Sequence, residues 1–188
     1  MTQPRGQVVI DKILDTADKL FYQQGYNLTG INQIIEEAGI AKGSLYQHFP
    51  SKTDLLVGYL ELNHKGWLTR LKAHIDGVAD PREKLLAFFD YHIARQEYRA
   101  YGGCPFIKAN DEAGMNDPRV LKEIQAVKQY FRVFVEEVVA NSGHKKVMTD
   151  KELTEMIFIM IEGGSAAASV FKNTNDLQSA KQIIKKLI

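Results

Sequence analysis

Residues 25–52, GYNLTGINQIIEEAGIAKGSLYQHFPSK, hold two short helices separated by a tight turn. Ile31, Ile34, Ile35 and Ala38 recur at helical spacing and give the first of them an apolar stripe, with Thr29 or Gly30 placed to cap its start. Gly39 makes the turn within Ala38-Gly39-Ile40. The second helix is expected from about Lys42 to His48, and Pro50 ends it. Leu45 and Phe49 lie four apart and anchor one side, which leaves Lys42, Ser44, Gln47 and His48 facing outward. A helix so short and so polar at its tip is not there for core packing alone. Helix-turn-helix units of this shape place their second helix in the DNA major groove.

Upstream, Ile10, Ile13, Leu14, Ala17, Leu20 and Phe21 form an amphipathic helix that Gly25 terminates. Downstream, Ser51 caps a long helix whose third position, Asp54, suits both the free amides and the macrodipole. Leu55, Leu56, Tyr59, Leu60, Trp67, Leu68 and Leu71 carry that helix to about Ile75. Asp80-Pro81 opens a fifth helix, broken at Tyr101-Gly102-Gly103-Cys104-Pro105, and a short helix follows to about Ala113. Asp117-Pro118 starts another long helix that runs to Asn141-Ser142-Gly143. Thr149 caps the next, which continues into Gly163-Gly164-Ser165-Ala166-Ala167-Ala168. Two glycines inside a helix cost about 1 kcal/mol each relative to alanine, so a close approach of another helix is expected there. Leu177, Ile183, Ile184 and Leu187 outline a last amphipathic helix. The pattern is all-α, a small head on a larger helical body, without repeats or a credible strand pair.

Length and composition narrow the function. At 188 residues and 45% apolar, the chain can bury a real core. The longest uninterrupted apolar run, Met156 to Ile161, falls short of the roughly 20 residues of a membrane span, and the N-terminus signals no secretion. No membrane association and a cytoplasmic location are therefore expected. The single cysteine, Cys104, rules out an intramolecular disulfide framework and a Cys-rich zinc site. The histidines, His48, His64, His74, His92 and His144, include no i, i+4 metal pair and no His-Glu-x-x-His, and there is no phosphate loop. No metal, cofactor or catalytic residue is expected, and an enzyme is the weaker alternative, as is a helical adaptor without DNA affinity.

A net charge of +1 does not by itself announce a nucleic-acid binder. Distribution matters more: Asp11, Asp15 and Asp18 share a face of the first helix, while Lys42, His48 and Lys52 gather around the second half of the motif. Lys42 and Lys52 are expected as phosphate anchors, Gly43 as a point of close approach and Ser44 as a donor to phosphate or a base edge. Tyr46 offers a hydroxyl to the sugar-phosphate backbone, Gln47 and His48 meet base edges or phosphates, and Thr29 supplies a further phosphate donor.

The stretch resembles the tetracycline-repressor (TetR) family of bacterial regulators. The resemblance rests on Gly25-Tyr26, Thr29, Ile34, Ala38-Gly39-Ile40, Lys42-Gly43-Ser44-Leu45-Tyr46, His48-Phe49 and Ser51-Lys52-Thr53-Asp54-Leu55-Leu56, and is dense over residues 8 to 60. Ala41 departs from it, standing where the family often has a capping serine or threonine. The resemblance implies a three-helix DNA-binding head over residues 1–52 and a helical effector-binding and dimerisation body over 53–188. It implies a homodimer on double-stranded, roughly palindromic operator DNA, usually a repressor, released when a small molecule enters the body. The last two long helices are then the dimer interface, with Gly163, Gly164, Ala167, Ala168 and Phe171 on one and Ile183, Ile184 and Leu187 on the other.

The body is rich in aromatic rings. Trp67, Phe88, Phe89, His92, Cys104, Phe131 and Phe134 are the candidates to line a site for an apolar effector with polar tips. Cys104, between Gly102-Gly103 and Pro105, supports an alternative in which the regulator senses oxidants or electrophiles, with Arg99 and Lys108 near in sequence to assist a thiolate.

Overall fold

The computed structural model describes residues 5–114, 116–144 and 147–188, and among them no strand is formed. Residues 1–4, part of the N-terminus read above for a secretion signal, lie outside the described residues. The helices are α1 (Arg5–Gln24), α2 (Ile31–Ala38), α3 (Lys42–His48), α4 (Lys52–Asp76), α5 (Glu83–Tyr98), α6 (Pro105–Ala109), α7 (Pro118–Ala140), α8 (Asp150–Phe171) and α9 (Asn175–Leu187). A single π-helical turn, Asn110–Gly114, follows α6.

Local chemistry sets most of these boundaries. Ser51 Oγ accepts the Asp54 amide at 3.1 Å and donates to Asp54 Oδ2 at 2.6 Å, which starts α4. Asp80 Oδ1 takes the amides of Arg82 and Glu83, and the two bonds hold its carboxyl below the usual carboxylate range. Thr149 and Glu152 form a reciprocal capping box at the head of α8. Gly25, at φ +88°, closes α1 by donating to Phe21 O.

The chain divides into two compact units, residues 1–66 with 105–125 and residues 67–104 with 126–188. In the first, Ile13, Ala17, Ile34, Leu45, Leu55, Leu60 and Val120 are fully buried. In the second, the core is built from Leu71, Leu85, Phe88, Phe89, Val135, Leu153, Ile157, Ile161, Leu177 and Ile184. Apart from Ala17, each such side chain contributes on the order of 1.5–3 kcal/mol relative to exposure.

Helix α8 is long and apolar enough, by length and composition, to match a membrane span, which the longest apolar run alone did not reveal. Leu153, Ile157, Ile161, Gly164 and Ala168 form its buried face, while Ile159, Val170 and Phe171 are exposed. Here α9 lies against it. A Cβ built on Gly164 would stand 2.6 Å from Leu177 Cδ2, whereas one on Gly163 would meet nothing within 4 Å. The paired glycines thus have different roles, and only Gly164 makes the expected close approach. The residues expected on the dimer face divide accordingly. Gly164, Ala168 and Ile184 turn inward within the subunit, while Gly163, Phe171 and Ile183 are exposed and Ala167 and Leu187 are half-buried.

Candidate nucleic-acid interface

Helix α2 ends at Gly39, whose φ of +61° lies in the left-handed region, and the amides of Gly39 and Ile40 return to Glu36 O and Ile35 O. The chain re-enters helix at Lys42 with Ala41 as N-cap and no side-chain cap. The lost hydroxyl leaves the first α3 amides without a side-chain partner, and those amides remain available to an anion.

What fixes α3 is its apolar underside. Leu45 is fully buried and Phe49 nearly so, and Phe49 seats against Gly58 of α4, where a Cβ would come within 2.9 Å of Phe49 Cε1. Only glycine lets the ring sit there. The other face is open: Lys42, Gly43, Tyr46 and Gln47 are exposed, Ser44 and His48 half-buried. Lys52, one turn beyond α3, is half-buried and lies 4.2 Å above the Tyr26 ring. Burial pushes its ammonium below the usual lysine range, and the Glu112 carboxylate partly offsets that. Tyr26 is steadied by Thr53 at 3.2 Å and by the Phe21 ring.

Thr29, expected as a phosphate donor, is turned inward. Its side chain is fully buried, its hydroxyl donates to Gly25 O at 2.6 Å, and it accepts Gln24 Nε2 at 3.2 Å. The proton is committed to closing the turn before α2, whose N-cap is Gly30. The sequence identified the residue but not which way its hydroxyl turns.

Two contacts that no local pattern signals involve the segment after α5. Glu112 Oε2 accepts the Asn27 amide at 2.5 Å, and Arg119 Nη1 donates to Asp54 Oδ1 at 2.6 Å while also holding Asp117. Lys108 spends its ammonium on Tyr22 O at 2.9 Å.

In the second unit the expected effector residues are largely brought together. Phe131 is the hub, with Trp67 at 5.4 Å, His92 at 5.5 Å, Phe158 at 5.7 Å and Phe88 at 6.0 Å between ring centroids. Phe134 joins through Phe88, and Phe89 is fully buried nearby in sequence. Burial, with help from the charges of Arg95 and Lys128, drives His92 down to about 3, so its ring is neutral at physiological pH. A cleft of about 320 Å³ opens beside Phe134, lined also by Ile75, Lys84, Glu137 and Asn141. Cys104 is half-buried, and Lys128 Nζ stands 3.4 Å from its sulfur and 2.5 Å from Glu162 Oε2. Burial alone would lower the Lys128 pKa, but the cysteine and the carboxylate outweigh it and raise it. Among the described residues no group of three or more His, Cys, Asp or Glu side chains is placed to hold a metal ion.

Comparison with known proteins yields matches over both parts of the chain. The model for bacterial regulatory proteins of the tetR family matches residues 13–58, and that for the tetracyclin repressor-like C-terminal domain matches residues 81–185. The HTH-type transcriptional regulator LmrA of Bacillus subtilis is 31% identical over 183 residues, covering 95% of each chain. The regulator YxaF of the same organism is 29% identical over 181 residues, covering 95% of this chain and 94% of its own. A TetR transcriptional regulator from Chloroflexus aurantiacus superposes with a TM-score of 0.84 at 23% identity, covering 96% of this chain and 93% of that one.

Proposed function

The chain belongs to the TetR family of bacterial regulatory proteins, and on that premise we propose that it is a ligand-responsive repressor that leaves a palindromic operator when a small apolar effector binds. As a member of that family it is a DNA-binding transcriptional regulator and not an enzyme. The observation that carries the finer reading is α3 itself, a seven-residue helix pinned by Leu45 and Phe49 with Lys42, Gly43, Tyr46 and Gln47 exposed on its other side.

In this reading residues 1–52 read DNA and residues 53–188 bind the effector and dimerise, in the cytoplasm. Lys42 and Lys52 take phosphates, Ser44 and Tyr46 support the backbone contact, and Gln47 and His48 meet base edges. Dimerisation is supported by apolar side chains left open on α8 and α9, namely Ile159, Val170, Phe171 and Ile183, with Gly163 between them. Two-fold symmetry then places two copies of α3 about one turn of DNA apart. The effector is received by the cluster around Phe131, apolar in its rings and polar at His92, with Cys104 read as a further polar contact. Helix α4 is one unbroken helix from Lys52 to Asp76. Its displacement is the proposed link, with coupling of about 1–3 kcal/mol, the ordinary allosteric range.

Selection from a random duplex pool with the purified protein tests this. Enrichment of a motif with two inverted half-sites is the expected result, and a pool that stays random would end the operator-binding reading. A second reading is favoured by the Lys128 ammonium 3.4 Å from Cys104 Sγ: the effector is an electrophile or oxidant, and the sulfur anion that attacks it is paired with Lys128.

A further inference from the structure

Glu112 belongs to the π-helical turn, yet its carboxylate is seated on the loop between α1 and α2, 85 positions earlier in the chain. Oε2 accepts the Asn27 amide, and Oε1 lies 2.5 Å from where a Cβ would stand on Gly25, whose φ of +88° is itself the conformation that favours glycine. Tyr26, between those two residues, carries the Lys52 ammonium 4.2 Å above its ring. A carboxylate and an ammonium therefore flank the same three residues. Both side chains belong to half-buried residues, so the field between them is screened less than at an open surface.

The carboxylate is not needed merely as a tether. Lys108 bonded to Tyr22 O and Arg119 bonded to Asp54 already fasten the segment around α6 and the start of α7 to the same unit. What the negative charge of Glu112 adds is an anion close to a lysine that is itself read as a phosphate anchor. We propose that Glu112 is an internal anion that competes with DNA phosphate for Lys52 and holds operator affinity below what the head alone would give. DNA binding at this position then exchanges one anionic partner for another, and the gain per contact is smaller than for a free lysine. The inference rests on the assignment of Lys52 to the phosphate set.

The test is operator affinity of the full chain as a function of salt, for wild type, Glu112→Gln, Lys52→Ala and the double variant. Glutamine keeps an acceptor for the Asn27 amide and removes only the charge. Glu112→Gln is expected to bind about two- to fivefold more tightly per subunit, the range for opposite charges that interact at a partly exposed site, and the gain is expected to vanish in the Lys52→Ala background. Unchanged or weaker binding by Glu112→Gln overturns the proposal, as does an equal gain without Lys52. Should glutamine disturb folding, Glu112→Met fills similar space without charge, and its loss of the Asn27 acceptor is read separately as thermal stability. A wild-type salt slope that Lys52→Ala leaves unaltered removes Lys52 from the phosphate set, which is a separate failure, of the reading beneath this one.

Discussion

Leu177 of α9 reaches into the space that a side chain on Gly164 of α8 would occupy, its Cδ2 2.6 Å and its Cγ 2.9 Å from the Cβ position. Alanine there gains up to about 1 kcal/mol of helix propensity but forces two packed helices apart, at about 1–3 kcal/mol. Gly164→Ala is therefore expected to lower the urea midpoint, and Gly163→Ala, with nothing within 4 Å, to raise it when the subunit is measured alone. Equal midpoints for the two variants would show that the Leu177 contact carries no energy.

Thr29 and Lys42 should separate cleanly in a salt titration of operator binding. Lys42→Ala removes an exposed cation from the start of α3 and is expected to weaken binding to all sequences, flattening the salt slope by about one per contact. Thr29→Ala removes a fully buried hydroxyl bonded to Gly25 O and leaves that carbonyl without its donor. The cost is expected in folding stability, about 1–3 kcal/mol, with the salt slope unmoved. A flattened slope in Thr29→Ala would return its hydroxyl to the DNA contact.

Gln47→Ala is expected to change which bases are preferred with a smaller effect on nonspecific affinity, because its exposed amide adds base-edge bonds rather than charge. Duplex selection repeated with the variant reads this directly. An identical motif would take Gln47 out of base reading.

Much of this architecture was legible because helix starts are local. Ser51, Asp80, Asp117 and Thr149 each bond amides two or three residues on, and a reader of the sequence needs nothing else to place α4, α5, α7 and α8. The exposed and anchored sides of α3 follow as directly from Leu45 and Phe49. Orientation about a long helix was less legible: Gly163 and Gly164 are neighbours, and only packing by Leu177 tells which one faces inward. Long-range polar contacts were invisible. Nothing in the composition around Glu112 signals Asn27, and nothing beside Cys104 in sequence signals Lys128, 24 positions away.

His92 makes stability depend on pH in a defined direction. Its ring, ordinarily near 6.5, is held at about 3 by burial and by the positive charges of Arg95 and Lys128. The folded state stays neutral while the unfolded chain takes up a proton, so stability present above about pH 6.5 is lost progressively down to about pH 3. The slope approaches about 1.4 kcal/mol per pH unit inside that window. His92→Leu is expected to reduce the fall in urea midpoint between pH 6.5 and 5, and a variant with the wild-type slope would assign the acid sensitivity to other groups.

Cys104 and Lys128 offer the sharpest discrimination between a ligand-binding and a covalent mode of response. The ammonium lies 3.4 Å from the sulfur and 2.5 Å from Glu162, so it is held in place and can pair with a sulfur anion as an electrophile is attacked. If that pairing matters, Lys128→Met should slow alkylation of Cys104 by a small electrophile at fixed pH, with Cys104→Ser as the unreactive baseline. Operator release by the same electrophile should then be lost in Cys104→Ser and delayed in Lys128→Met. The alternative gives a different pattern: an effector received reversibly by the rings around Phe131 would release operator from Cys104→Ser as readily as from wild type. Lys128→Met would then act only through stability, because it leaves Glu162 without its cation, and would show an early thermal transition with an unchanged alkylation rate.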